Sequence, residues 1–321
     1  MTGKKSRLQS ASRITARNSK GARGAKSPIS SPRISGRWLI VAVCATIAAA
    51  AVFAWGGLCL LFWQGSWQLL YHPETAVART PASVGLTFDP VAFATTEEGT
   101  PKLRGWLVPA EPGAEYSRLT VLLLHGEKGN LARNVDELSL LHAAGVNVLA
   151  FDYRGYGQSQ FARPSEAHWR QDAESAIQYL ISTRHVAASA IVLDGQGLGA
   201  NLGLEVAAAH PELAGVILES PITHPTEAIF NDARARLVPA HLLVRDRYDL
   251  TAPAKRLTIP ALWFEVNAPN SHTGFNDEPA AYHTIAGHKT LVWLNPQLNS
   301  NRDFIDGLRR WLDSLPHPSA E

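Results

Sequence analysis

Residues 190–209 read Ala190-Ile191-Val192-Leu193-Asp194-Gly195-Gln196-Gly197-Leu198-Gly199-Ala200-Asn201-Leu202-Gly203-Leu204-Glu205-Val206-Ala207-Ala208-Ala209. The apolar run at 190–193 has the length of a buried strand, and 200–209 carries apolar residues at helical spacing. Between them, Gly195-Gln196-Gly197-Leu198-Gly199 has the spacing of G-x-S-x-G, the strand-to-helix turn that exposes a nucleophilic serine. Glycine stands here where the serine would be. The turn has its context, and the attacking oxygen is missing. A dinucleotide-binding loop is excluded, because G-x-G-x-x-G spaces its glycines differently and this turn falls late among the strands.

Outward from this turn, strand and helix signals alternate. Strands are predicted at 91–95, 103–108, 119–124, 146–151, 190–193, 215–219, 262–266 and 290–294. Helical spacing falls at 132–144, 165–183, 200–209, 279–285 and 303–315. Such alternation predicts an α/β domain, a mostly parallel twisted sheet with helices on both faces. The stretch 224–257 mixes Arg234, Arg236, Arg245, Asp246, Arg247 and Asp249 with apolar residues. It sits where a cap over the site would be inserted, and it reads equally as a polar-faced helical pair. No internal repeat is present.

Residues 1–37 hold ten Lys or Arg and no acidic residue, so this stretch cannot bury enough apolar surface to order itself. The 24 residues of 39–62 carry no charge and, at ~1.5 Å per residue, reach roughly 36 Å, enough to cross a bilayer core. Trp38 and Trp63 flank that span as interfacial anchors, and the basic tail predicts a cytoplasmic N-terminus with the domain periplasmic or extracellular, on an inner (cell) membrane. A cleaved signal peptide is the alternative, with an unusually long basic region and an apolar region beyond the usual ~7–15 residues. The expected order is a basic cytoplasmic tail (1–37), one transmembrane helix (38–63), a juxtamembrane linker (64–80), the α/β domain (81–316) and a short tail (317–321).

Of the 30 basic residues ten lie in the tail, which leaves twenty against 28 acidic ones and a domain charge near −8. That balance argues against nucleic acid as a partner. Both cysteines, Cys44 and Cys59, fall inside the apolar span, so the domain holds no disulfide, thiol nucleophile or thiolate ligand.

Four motifs in order carry a family resemblance: Leu124-His125-Gly126-Glu127-Lys128-Gly129-Asn130, Phe151-Asp152-Tyr153-Arg154-Gly155-Tyr156-Gly157-Gln158-Ser159, the 195–199 turn, and Glu219-Ser220-Pro221. Over roughly residues 70–315 the chain resembles the α/β-hydrolase superfamily, in its branch of membrane-anchored abhydrolase-domain and serine-aminopeptidase-like proteins. The resemblance implies the α/β-hydrolase fold. In an active member the turn serine attacks an acyl carbon, a histidine takes its proton, an acid orients that histidine, and two backbone N–H groups hold the oxyanion.

Mapped onto this chain, the resemblance leaves three side-chain positions without their chemistry. Gly197 replaces the nucleophile, Pro269 falls at the acid position after the strand at 262–266, and Asn299 falls at the histidine position after the strand at 290–294. The oxyanion donors need no side chain, and the N–H groups of Leu198 and Glu127 are expected to keep that role. His125 resembles the family's turn histidine and reads as structural.

Candidates for displaced replacements are Glu219, Asp277 and Glu278 as acids, His272 as a base, and Ser220 and Ser271 as nucleophiles. His288 precedes the last strand, at the wrong end of the sheet, and reads as a solvated turn residue. The twelve histidines show no ligand spacing, so neither a metal nor another cofactor is expected. The resulting expectation is a membrane-anchored, non-catalytic pseudohydrolase that binds a small acyl or lipid-like ligand or a protein partner. The alternative is a serine-type hydrolase, an esterase, lipase or peptidase with a relocated catalytic set.

Overall fold

A computed structural model describes residues 35–266, 278–295 and 300–316. Its contacts divide the chain into two units, residues 1–52 and 53–321. Helix α1 (Gly36–Gly65) runs through their boundary and is long and apolar enough, by length and composition, to cross a membrane. In the first unit its apolar side chains, from Trp38 to Val52, are exposed, as a bilayer-facing helix requires.

The second unit is built on an eight-stranded sheet: β1 (Asp89–Thr95), β2 (Pro101–Val108), β3 (Thr120–Leu124), β4 (Asn147–Asp152), β5 (Ile191–Gln196), β6 (Gly215–Glu219), β7 (Ala261–Val266) and β8 (Lys289–Leu294). The spatial order is β8-β7-β6-β5-β3-β4-β2-β1. β2 runs antiparallel to both its neighbours, and every other pairing is parallel. Between the strands come α2 (Val135–Ala144), α3 (Glu166–Ser182), α4 (Leu198–Ala209), four short helical turns, α5 (Ala280–Thr284) and, last, α6 (Ser300–Asp313).

The two-residue period of the strands sorts their side chains into two cores. On one face Leu122, Leu193 and Leu218 pack with Trp169, Ile177 and Leu202 of α3 and α4. On the other, Val121, Val192 and Ile217 pack with Leu138 and Leu141 of α2 and with Leu308 and Trp311 of α6. Helices on both faces are what buried parallel strands require. The parity has a consequence for charge, because Asp194 shares the face of Val192 and Glu219 shares the face of Ile217.

The segment expected as a juxtamembrane linker is partly built into the domain. His72 and Pro73 pair in parallel with Lys128 and Gly129, and Tyr71 is buried. The Tyr71 hydroxyl donates to Asp246 Oδ2 (2.7 Å) and lies 2.9 Å from the Tyr248 hydroxyl, joining this segment to the stretch between β6 and β7. That stretch is a chain of short turns (Glu227–Phe230, Ala233–Leu237, Ala240–Leu243, Thr251–Arg256) rather than a helical pair.

Candidate functional site

β5 ends at Gln196 and α4 starts at Leu198, so the whole reversal from strand to helix falls on Gly197. Its backbone sits at φ 52°, ψ −119°, a region sparsely populated by residues with a Cβ. Neighbouring glycines make the turn possible. A Cβ on Gly199 would lie 2.0 Å from the Leu124 carbonyl oxygen, and one on Gly195 would lie 2.3 Å from the Gly199 carbonyl oxygen. The Gly197 N–H donates to the Glu219 carbonyl (3.0 Å), tying the turn to the end of β6. The elbow is complete without its side chain.

The space a nucleophile would use is taken by a carboxylate. A Cβ on Gly197 would lie 3.1 Å from Glu127 Oε2, and the Leu198 N–H points to the same oxygen over a long 3.5 Å. Glu127 was expected to supply a backbone donor to an oxyanion, whereas its side chain places a resident anion beside the other expected donor. Lys128 Nζ lies 3.6 Å from Glu127 Oε1 and offsets part of that charge.

Glu127 also borders a cavity of about 450 Å³, along with Leu69, Leu70, His72, Ile222 and His224. A larger cavity, about 790 Å³, lies alongside, sharing His224, Pro225 and Glu227 with the first and extending to Tyr248 and Pro279. Residues 223–227, Phe230 and residues 247–251, all from the stretch between β6 and β7, line the larger cavity, and His224, Pro225, Glu227, Ala228 and Asn231 line the smaller one. Of the two, only the smaller is lined by Glu127, the residue whose side chain lies beside the elbow.

Glu219, sought as a displaced acid, meets no histidine among the described residues. It turns away from the elbow toward Gln196, whose Nε2 approaches both its oxygens at 3.4 Å, and toward Asp194 and Glu137. Ser220 holds a positive φ of 46°, its N–H donates to the Phe264 carbonyl (2.9 Å), and no described base reaches its hydroxyl. Pro269, Asn299, Ser271, His272 and Asp277 lie outside the described residues. His288 is exposed at the start of β8, and its carbonyl accepts from the Ala261 N–H.

His125 is structural. It is buried against Tyr153, Tyr156 and Trp169, and Nδ1 lies 2.8 Å from the Gly126 carbonyl, which fixes the proton on Nδ1. Burial pushes its pKa down to about 4 and that of neighbouring Asp152 up to about 7. Asp152 Oδ1 is 3.6 Å from His125 Nε2, yet both shifts favour the neutral forms, so this contact is not an ion pair.

Behind the elbow, Glu137 of α2, Asp194 of β5 and Glu219 of β6 bring carboxylate oxygens within 4.8 Å of one another. Spacing of histidines could not reveal this group, because its members come from three separate elements. A signal was present in Asp194, an acid inside the buried run Ile191-Val192-Leu193-Asp194.

Comparison with known proteins follows the same lines. Residues 115–268 match the serine aminopeptidase S33 family. An uncharacterized protein of Mycobacterium tuberculosis is 28% identical over 281 residues, covering 85% of this chain and 94% of that protein. Protein bem46 of Schizosaccharomyces pombe is 28% identical over 146 residues, 45% of this chain and 48% of that protein. Among solved structures, an esterase of Pyrococcus furiosus superposes with a TM-score of 0.56 at 17% identity, over 76% of this chain and 99% of that one. An alpha-beta hydrolase of Vibrio vulnificus gives 0.51 at 21% identity, over 73% and 81%. With the sheet order and the Gly197 elbow, these matches lead to one conclusion: the chain has the α/β-hydrolase fold, and its residues 115–268 are similar to the serine aminopeptidase S33 family.

Proposed function

We propose that this protein is a membrane-anchored pseudohydrolase, in which the old active-site cavity binds rather than reacts. The observation that carries this reading is the pairing of Gly197 with Glu127. The elbow offers no oxygen to attack a carbonyl, and an anionic Glu127 beside the Leu198 N–H would repel the oxyanion of an acyl-transfer transition state. Removing a complete triad raises a hydrolase barrier by roughly 8–9 kcal/mol, a remnant activity too slow to serve a cell. The cavity of about 450 Å³ joins apolar walls, Leu69, Leu70 and Ile222, to a carboxylate, which suits a neutral acyl or lipid-like ligand over an anionic one. A protein partner at the same mouth is the other form of this reading.

The anchor is α1, with the basic tail on the cytoplasmic side and the domain across the membrane. Protease added to intact spheroplasts should then degrade the domain and spare the tail, and a cytosolic reporter fused after residue 321 would refute that orientation. A fluorophosphonate probe tests the absence of chemistry, because it reacts only with an activated serine. No labelling is expected. Labelling abolished by Ser220→Ala would establish the alternative, a hydrolase with a relocated nucleophile.

A further inference from the structure

The three carboxylates behind the elbow present a problem of charge. Asp194 is fully buried, and no donor outside the three acids themselves reaches either of its oxygens among the described residues; the same holds for the buried Glu137 Oε1. The groups acting on the three acids are one another and the Gln196 amide; no described Lys, Arg or His is among them. Leaving several ionised carboxylates in such a place costs several kcal/mol each unless a cation compensates.

The framework around them is rigid. Gln196 pairs with Glu219 and Asp194 with Ile217 in the β5–β6 register, which sets Asp194 and Glu219 on the α2 face as diagonal neighbours. On α2, Glu137 lies one turn before Leu141, in the helix's inward stripe, and so faces the sheet. Asn134 Nδ2 donates to Gln196 Oε1, placing a second amide beside the acids. The donor set is all oxygen, which suits a hard divalent cation such as Ca²⁺, Mn²⁺ or Mg²⁺ and disfavours metals that prefer nitrogen or sulfur. Oxygens bound at about 2.4 Å to one ion stand no further apart than about 4.8 Å, and the three carboxylates lie within that limit.

We propose that Glu137, Asp194 and Glu219 form a binding site for one hard divalent cation directly behind the elbow. The ion would join α2 to the ends of β5 and β6 and fix Gln196, the residue preceding Gly197. It is a structural site, separate from the cavity over Glu127.

The test uses the full-length protein in detergent, stripped with EDTA and titrated with Ca²⁺, Mn²⁺ or Mg²⁺ near neutral pH, followed by Tm and by metal content after desalting. At least one of these ions should raise Tm by several degrees and remain bound at about one equivalent per chain. Glu137→Gln and Asp194→Asn, which keep the shape of the side chains, should lose both effects. If a variant does not fold, Mn²⁺ electron paramagnetic resonance on the wild type provides an independent reading, with bound ion in an all-oxygen environment expected. The proposal is overturned if no ion shifts Tm or is retained, if Glu137→Gln responds like the wild type, or if the stripped protein gains stability only on acidification, in which case shared protons hold the cluster.

Discussion

Gln196 and Gly197 are consecutive residues, yet the regions on either side of them treat negative charge in opposite ways. In front of the elbow Glu127 lies at the edge of a cavity, with the Leu198 N–H and the Lys128 ammonium nearby. Behind it, burial and mutual repulsion push the carboxyls of Glu137, Asp194 and Glu219 well above their usual range, with no described cation among the groups acting on them. A carboxylate at the cavity mouth has an N–H and an ammonium group beside it, whereas anions in the interior require a counterion or protons. The backbone between the two regions is tightly specified, because no Cβ fits at Gly195 or Gly199.

That specification can be broken directly. Gly199→Ala drives a methyl group into the Leu124 and His125 carbonyls, two backbone atoms that cannot yield, and should cost about 3 kcal/mol or leave the domain unfolded. Chemical denaturation measures it, and a change below about 0.5 kcal/mol would mean the turn is looser than its geometry.

The buried His125 tests the interior by pH. Its folded pKa is about 4 against the usual 6.5, so between those values the unfolded chain holds the extra proton and stability rises with pH. Asp152 has the opposite sign. Its folded pKa of about 7 keeps a proton in the fold, adding stability below pH 7 that is lost as pH rises through that value. In His125→Phe only the aspartate dependence remains. The stability of the wild type relative to the variant should therefore fall by about 3 kcal/mol between pH 7 and pH 4. Equal pH profiles would show that His125 is not held neutral.

Gly197→Ser probes the front region. It places a Cβ in a strained backbone and 3.1 Å from Glu127, and should destabilise the domain by about 1–2 kcal/mol while producing no esterase activity. Unchanged stability would contradict the strained elbow, and strong activity would reveal a base near Gly197. Glu127→Gln, at the accessible cavity, should change stability by less than about 0.5 kcal/mol and so sharpen the contrast with the buried acids.

Much of this architecture was readable from the chain. Alternating apolar runs locate all eight strands of the sheet to within a few residues, because parallel strands buried on both faces must be continuously apolar. The elbow was readable because its parts are contiguous, and because backbone crowding leaves room only for glycine at 195 and 199. Glu127 was legible only as a backbone donor, since the direction of its side chain depends on how the 125–130 turn meets Gly197. Glu219 looked like a spare catalytic acid until strand parity placed it on the α2 face. Glu137 joins it across 82 residues of sequence, a distance that no local pattern spans. Tyr71 looked like part of a linker, because an aromatic residue beside a membrane anchor suits an interface as well as a core.

The central claim is that this hydrolase fold carries no hydrolase chemistry. Steady-state hydrolysis of p-nitrophenyl esters and aminoacyl substrates by the purified full-length protein tests it most directly. The account predicts a background rate, unchanged by Ser159→Ala, Ser220→Ala or Ser271→Ala. A rate well above background that any one of these substitutions abolishes would contradict it.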